Sequence, residues 1–429
     1  MTKRRFIVVF ILLVLIVAAF SVRSIFEVGA KDAVDEEARQ LFQIMALMET
    51  LYYKPIDVEQ MLQGYVQYGN LEAMLVDLVD PYTQYLPPRM YEEMKVDTTG
   101  NFSGVGIVIT IYERQLTIVS PIAGTPGYAA GLQSGDEIMA IDGRPTKYMS
   151  MLEAVDSMRG PEGTPVELTI RRGDEEFTVR IVRANVQTPD INEAHMVTSD
   201  VAYVRINEFK LQTARELDGA LTELSQQGMR GLILDLRDNP GGTLRSAIDV
   251  SSMFLPMGDT VHEVFRSSDV AAMFMSRGDN KTYVVRDNER VSHGVREDGK
   301  WYGLPVVVLL NKGSASASEI VAGALKDRAG AFVVGETSFG KGLVQAVLEL
   351  PNGAAMRLTI AEYLTAGGVS INEKGIEPHY VVELPEPATP EEARARRLST
   401  TYFSLEDPQI QKALEVMQDI LSGSLSQAA

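Results

Sequence analysis

Lys312-Gly313-Ser314-Ala315-Ser316-Ala317-Ser318-Glu319-Ile320 is the stretch on which the reading of this chain turns. It lies where an apolar run, Leu304 to Leu310, gives way to a helical pattern from Ser318 to about Ala329. A buried strand followed at once by a helix is the building unit of an α/β fold. A serine at such a corner has small neighbours and lies near unpaired helix N–H groups, which favour negative charge. Those are the conditions a nucleophile needs. Downstream, Phe339-Gly-Lys-Gly-Leu-Val-Gln345 sets a lysine and a glutamine four residues apart on a strand after a glycine turn. Lys341 is the best candidate base in the chain. The residues alone leave Ser314, Ser316 and Ser318 open as nucleophile. Ser318, with acidic Glu319 behind it, also suits a helix N-cap and is the weakest of the three.

Strands and helices alternate around this corner. Val201 to Ile206 reads as a strand, Thr213 to Gln226 as a helix, Gly231 to Leu236 as a strand and Leu244 to Phe254 as a helix. Further strands are expected at Ala331 to Val334, Leu343 to Leu350 and Met356 to Tyr363, and a terminal helix at Gln409 to Leu421. Phe265 to Trp301 is polar and poorly periodic and reads as a surface insertion, such as a pair of exposed strands. Between Gly100 and Arg183 the character differs: short β-rich runs separated by Gly/Pro/Asp turns, interrupted by one helical stretch, Met151 to Met158. Residues 33 to about 79 carry apolar side chains at helix spacing, broken near Pro55. Two readings stay open for that region, a packed helical cap and a homodimer contact.

Composition removes several function classes. The formal net charge is −18, whereas nucleic-acid binders usually present a basic face to phosphates. The absence of cysteine excludes thiol catalysis, disulfides and thiolate-ligated zinc. His195, His262, His293 and His379 are scattered with no ligand spacing, so neither a metal nor a cofactor is expected. Met1-Thr-Lys-Arg-Arg5 precedes an uncharged apolar run, Phe6 to Val22, at the lower length limit for crossing a bilayer. The basic head predicts a signal-anchor with the remainder outside. The rival is a signal peptide cleaved near Val28-Gly-Ala30. The expected location is extracytoplasmic, on the periplasmic side of the inner or cytoplasmic membrane, or secreted if the segment is removed.

Two resemblances follow from longer motifs. Phe102-Ser-Gly-Val-Gly-Ile107 together with Ala129-Ala-Gly-Leu-Gln-Ser-Gly-Asp-Glu-Ile-Met-Ala-Ile-Asp-Gly143 resembles a PDZ domain. The resemblance implies that Gly104, Val105, Gly106 and Ile107 hold a terminal carboxylate on backbone N–H groups, while the adjoining strand edge pairs with the peptide. More widely, residues 33 to 385 are similar to the carboxyl-terminal processing proteases, PDZ-bearing, tail-specific serine proteases. The matching segments are Asp80-Pro-Tyr-Thr-Gln-Tyr-Leu86, Asn101 to Ile107, Leu234-Asp-Leu-Arg-Asp-Asn-Pro-Gly-Gly242, Gly313 to Ile320, Gly340-Lys-Gly342 and Gly375-Ile-Glu-Pro378, in the family's order.

This resemblance implies a crotonase-like α/β protease core with an inserted PDZ domain and helical N- and C-terminal segments. The expected boundaries are 1–30 for the anchor or signal, 31–95 for the helical region, 96–186 for the PDZ domain, 187–385 for the core and 386–429 for the C-terminal segment. It implies Ser316 as nucleophile, Lys341 as base and Gln345 as the third member. Ala317 N–H and an amide of Gly241 or Gly242 would form the oxyanion hole, and Arg171 or Arg172 would sense bound substrate. The chemistry implied is acyl transfer through a neutral lysine, whose pKa must fall well below its ordinary value of about 10.4. Implied partners are protein substrates with apolar C-terminal tails, the membrane, and an activating protein or second copy. The alternative is a non-catalytic, membrane-tethered PDZ adaptor on a protease-like core. Departures from the family pattern are Thr365-Ala-Gly-Gly368 and the length of 265–301.

Overall fold

The computed structural model describes residues 30–425 except 69–70, 72–73, 76–78, 81, 100, 113–114, 123–124, 134, 150, 188–189, 276–280 and 385–402. It divides into two compact units, 1–85 and 86–429. In the first, the helices Ala30–Leu51 and Val58–Tyr68 bury Ile44, Met48, Tyr52 and Met61 together with Met74 and Leu75. The break falls where Pro55 predicts it. The Asp80 carboxylate accepts from the N–H groups of Tyr82 and Thr83 and from Thr83 Oγ1, tying off the end of this unit.

The second unit holds a β-rich module and an α/β core. In the module, five antiparallel strands lie in the order Ile107–Tyr112, Gln115–Pro121, Glu137–Ile141, Pro165–Arg172 and Glu175–Val182. The short strand Arg144–Pro145 folds back on the third. Alternate residues of these strands, including Ile118, Ile138, Leu168, Ile170 and Ile181, pack with Ala154 and Met158 of the helix Met151–Met158. Ile107–Tyr112 forms one edge of that sheet, and residues 105–106 lead into it from the strand Asn101–Gly104.

The core sheet has the order Ile191–Met196, Val201–Ile206, Gly231–Asp235, Val306–Leu310, Phe332–Gly335, Tyr380–Val381. The first pair is antiparallel and the others are parallel. The helices Thr213–Gln226, Leu244–Ser252 and Ala317–Arg328 cover one face against Val204, Leu232, Leu234, Val308 and Val333. The helix Pro408–Ser422 covers the other, with Ala413 and Met417 on Val201, Tyr203, Ile233, Val307 and Leu309. Successive residues of one strand therefore serve two cores, which is why these strands read as unbroken apolar runs.

A second, antiparallel sheet carries the lysine segment. Leu343–Glu349 pairs with Ala355–Thr365, which continues through Gly258–Phe265 and Arg290–Val295 to Thr282–Asp287. The expectation for 265–301 is corrected in part. The stretch does form a pair of strands, Thr282–Asp287 and Arg290–Val295, with the first at the sheet edge, but the second lies between two neighbours and buries Val291, His293 and Val295. Gly258–Phe265 was missed altogether. Its polar residues hid it: Thr260, His262 and Glu263 are buried, and a period-2 reading expects apolar residues there. Among the described residues no helix is long and apolar enough to cross a membrane. The Phe6 to Val22 run on which the anchor expectation rests lies outside them.

Candidate active site

Parallel strands in an open α/β sheet place their following loops together at one edge, and ligands bind there. Gly231–Asp235 and Val306–Leu310 are neighbours in register, so residues 236–243 and 311–316 emerge side by side. Asn311 and Asp238 join the two loops. Asn311 Nδ2 donates to Asp238 Oδ1 at 2.9 Å, and Asn311 Oδ1 accepts from the Asp238 N–H at 2.9 Å. Fully buried Asn239 completes the staple: its carbonyl accepts from Ala315 N–H at 3.0 Å and Ser318 Oγ at 2.9 Å.

These contacts separate the three serines. Ser314 is fully buried, and its hydroxyl donates to Leu236 O at 2.8 Å while accepting from Asn311 N–H. Ser318 is also fully buried, with its hydroxyl on Asn239 O. Of the three, only Ser316 is partly exposed. The expected capping role of Ser318 is thereby corrected. The helix begins one residue earlier, at Ala317, and its N-cap is Ser316. Ser318 is drawn into the loop below because an inward-facing hydroxyl must find an acceptor.

Ser316 has φ 55° and ψ −112°, a conformation that costs a non-glycine residue about 1–3 kcal/mol. The surroundings hold it there. Its N–H donates to Glu319 Oε2 at 2.8 Å, the reciprocal arm expected of a Ser-x-x-Glu helix start. The Glu319 side chain is fully buried and reaches further. Oε2 also accepts from Lys341 N–H at 2.9 Å, and Oε1 accepts from Gly340 N–H at 2.7 Å and Ser338 Oγ at 2.6 Å. Burial pushes its pKa above the ordinary carboxylate value, against the pull of those hydrogen bonds. One carboxylate thus joins the serine corner to the Gly-Lys-Gly turn. The Tyr363 hydroxyl does the same from the carbonyl side, 3.1 Å from Ser316 O and 2.5 Å from Lys341 O. Sequence reading missed both roles; for Glu319 only the Ser-x-x-Glu pattern hinted at one.

Gln345 sits on the strand that follows Lys341, but the strand bulges between Val344 and Gln345. Its Nε2 donates to Leu343 O at 3.1 Å. At the facing turn, Gly241 (φ 106°) approaches the serine so closely that a methyl group there would lie 2.7 Å from Ala315 O and 2.8 Å from Ser316 Cβ. The Gly241 N–H is committed to Asn239 Oδ1 at 2.9 Å. Among the described residues the N–H groups of Gly242 and Ala317 donate to no acceptor within the chain.

The histidines lie elsewhere in other roles. His379 is exposed, with Nδ1 accepting from Val333 N–H at 2.9 Å, and His293 Nε2 is 2.6 Å from Glu263 Oε2 within the second sheet. In the β-rich module, the carbonyls of Val105 and Gly106 are bound by Gly127 N–H at 2.7 Å and Ile122 N–H at 3.0 Å. Trans peptide planes then turn the N–H groups of Gly106 and Ile107 the opposite way. Arg171 Nε donates to Glu137 Oε2 at 2.8 Å. Arg172 grips Asp136 through Nε at 2.6 Å and Nη2 at 2.7 Å, and the Gly131 carbonyl through Nη2 at 2.9 Å. Both arginines pair within the module.

The peptidase family S41 pattern matches residues 200–382, and a PDZ-domain pattern matches residues 117–172. The chain is similar to a carboxyl-terminal-processing protease of Synechocystis sp., 39% identical over 74% of this chain and 71% of that one. It is similar to a second from Picosynechococcus sp., 35% identical over 84% of this chain and 82% of the other. An S41-type structure from Bacteroides fragilis shares the fold at 17% identity and a TM-score of 0.53, over 90% of this chain and 98% of that one. The chain belongs to the carboxyl-terminal-processing proteases, PDZ-bearing serine peptidases of family S41.

Proposed function

We propose that this peptidase captures proteins by an apolar C-terminal tail on the Gly104–Ile107 loop and cuts them at Ser316, with Lys341 as general base. The observation that carries the assignment is the separation of the serines. Ser314 and Ser318 are buried with committed hydroxyls, whereas Ser316 is open and tied through Glu319 to the lysine turn. The neutral Lys341 amine takes the Ser316 proton as Oγ attacks the peptide carbonyl, then returns it to the leaving amine. Water hydrolyses the acyl-enzyme by the same exchange. The oxyanion rests on the N–H of Ala317 and, because the Gly241 amide is already bonded, on that of Gly242. Gln345 serves as the third member in this reading, with Oε1 as the acceptor for the amine.

In the PDZ module a terminal carboxylate meets the N–H groups of Gly106 and Ile107, and the tail adds as a strand to the Ile107–Tyr112 edge. Arg171 and Arg172 act as sensors only if substrate displaces Glu137 or Asp136 from them. The adaptor reading is not favoured, given an intact Ser316 and Lys341 in a chain of protease relatives. The basic head and apolar run support anchoring of the N-terminus with the enzyme outside. The test is incubation with an unfolded protein bearing an apolar tail, comparing the parent with Ser316→Ala and Lys341→Ala. Both variants should lose cleavage by several orders of magnitude; persistence in both would overturn the mechanism.

A further inference from the structure

A serine and a lysine on different segments exchange a proton only if their backbones are held in fixed relation. Ser316 lies at the head of the helix Ala317–Arg328, and Lys341 lies in a turn before the second sheet. No covalent neighbour sets their spacing. Tyr363, on the strand Ala355–Thr365 and 1% exposed, touches both. Its hydroxyl lies 3.1 Å from Ser316 O and 2.5 Å from Lys341 O, and its own N–H donates to Gly342 O at 2.9 Å. Glu319 spans the same two residues through their N–H groups, at 2.8 and 2.9 Å. The peptide groups on both sides of Ser316 and of Lys341 are thus fixed by two buried side chains shared between them. A tyrosine packed only for its ring would need one acceptor for its hydroxyl. This one sits between two carbonyls that belong to the two reacting residues.

We propose that Tyr363 is a positioning residue of the reaction, which with Glu319 sets the Ser316–Lys341 spacing. The proposal rests on the Ser316–Lys341 reading and deepens it. Tyr363→Phe keeps the ring and removes only the tie. On a tailed, unfolded substrate it should lower kcat about ten- to a hundredfold, the scale of an ångström-sized misplacement, with KM within about twofold. Labelling of Ser316 by a small fluorophosphonate, which needs no tail capture, should slow in step with kcat. In a Lys341→Ala background the same change should leave the residual labelling rate unaltered, because the spacing it sets no longer matters. A Tyr363→Phe enzyme whose kcat and labelling stay within twofold of the parent sinks the proposal, as does a further loss in the Lys341→Ala background. If Tyr363→Phe does not fold, Glu319→Gln carries the same test, since in either orientation the amide turns an NH2 toward two of the four donors that the carboxylate accepts. Ser316→Ala in the same assays separates the two ideas. Retained cleavage there removes the Ser316–Lys341 reading itself, whereas its loss beside an unaffected Tyr363→Phe removes only the role of Tyr363.

Discussion

At the scale of single residues, the site depends on a glycine that cannot grow and an acid that must stay ionised. Gly241→Ala would push a methyl group onto Ala315 O and Ser316 Cβ from a backbone angle that disfavours side chains. The expected result is a loss of about a hundredfold or more in kcat, read alongside fluorophosphonate labelling of Ser316. Glu319 gives a pH signature. Its four donors are satisfied only by the carboxylate, so activity should fall on acidification at a pH above the ordinary range for glutamate. Stability runs the other way. A carboxyl whose folded pKa is raised contributes stability below its unfolded pKa and loses it as pH rises through the folded one. Urea unfolding across that window should therefore show a falling stability component in the parent that Glu319→Gln lacks; parallel pH slopes would contradict it. The sequence pointed to Lys341 by its glycine turn and to Ser316 through resemblance, but not to the roles of Glu319 or Tyr363. A buried glutamate and a strand tyrosine look ordinary until their partners, 22 residues away in each case, are known.

At the scale of elements, the C-terminal helix Pro408–Ser422 is wired to the glycine turn. Arg237, five residues before Gly242 and 4% exposed, donates to Asp407 Oδ2 at 2.6 Å, to Gln409 Oε1 at 2.9 Å and to Asp235. Asp407 also caps the helix by accepting from Gln409 N–H at 2.8 Å. Asp407→Ala leaves a buried guanidinium short of one partner and a helix without its cap. The expected destabilisation is about 3 kcal/mol, measured as a lowered midpoint of urea unfolding. In the β-rich module, Gly106 has φ 76°, and a methyl group there would fall 2.3 Å from Thr125 Cβ. Gly106→Ala should weaken binding of an apolar-tailed peptide about tenfold or more, by fluorescence anisotropy on the intact chain. The helices and parallel strands were legible because their periodicity is local. The strand Gly258–Phe265 was not, because His262 and Glu263 owe their burial to partners supplied by Arg290–Val295.

At the scale of the whole molecule, the chain joins a PDZ module to a peptidase core, and its N-terminal sequence carries the export proposal. A reporter active only outside the cytoplasm, fused after Ala30, should be active and sediment with membranes if the anchor stays, or appear in the soluble exported fraction if cleaved. Activity confined to a cytoplasmic reporter would refute both forms of the export reading.

The sequence by itself determined the alternation of strands and helices, the PDZ-like module and the small-residue corner with its lysine turn. Each is encoded by local pattern, and their order along the chain specifies the family. Only the tertiary structure decided which serine is open, that Gly241 has spent its amide, and that Glu319 and Tyr363 bind the two halves of the site. Those outcomes depend on which buried polar groups meet across distant segments. A hydroxyl or amide is reactive only when no neighbour has claimed it, and the neighbours are chosen by the fold.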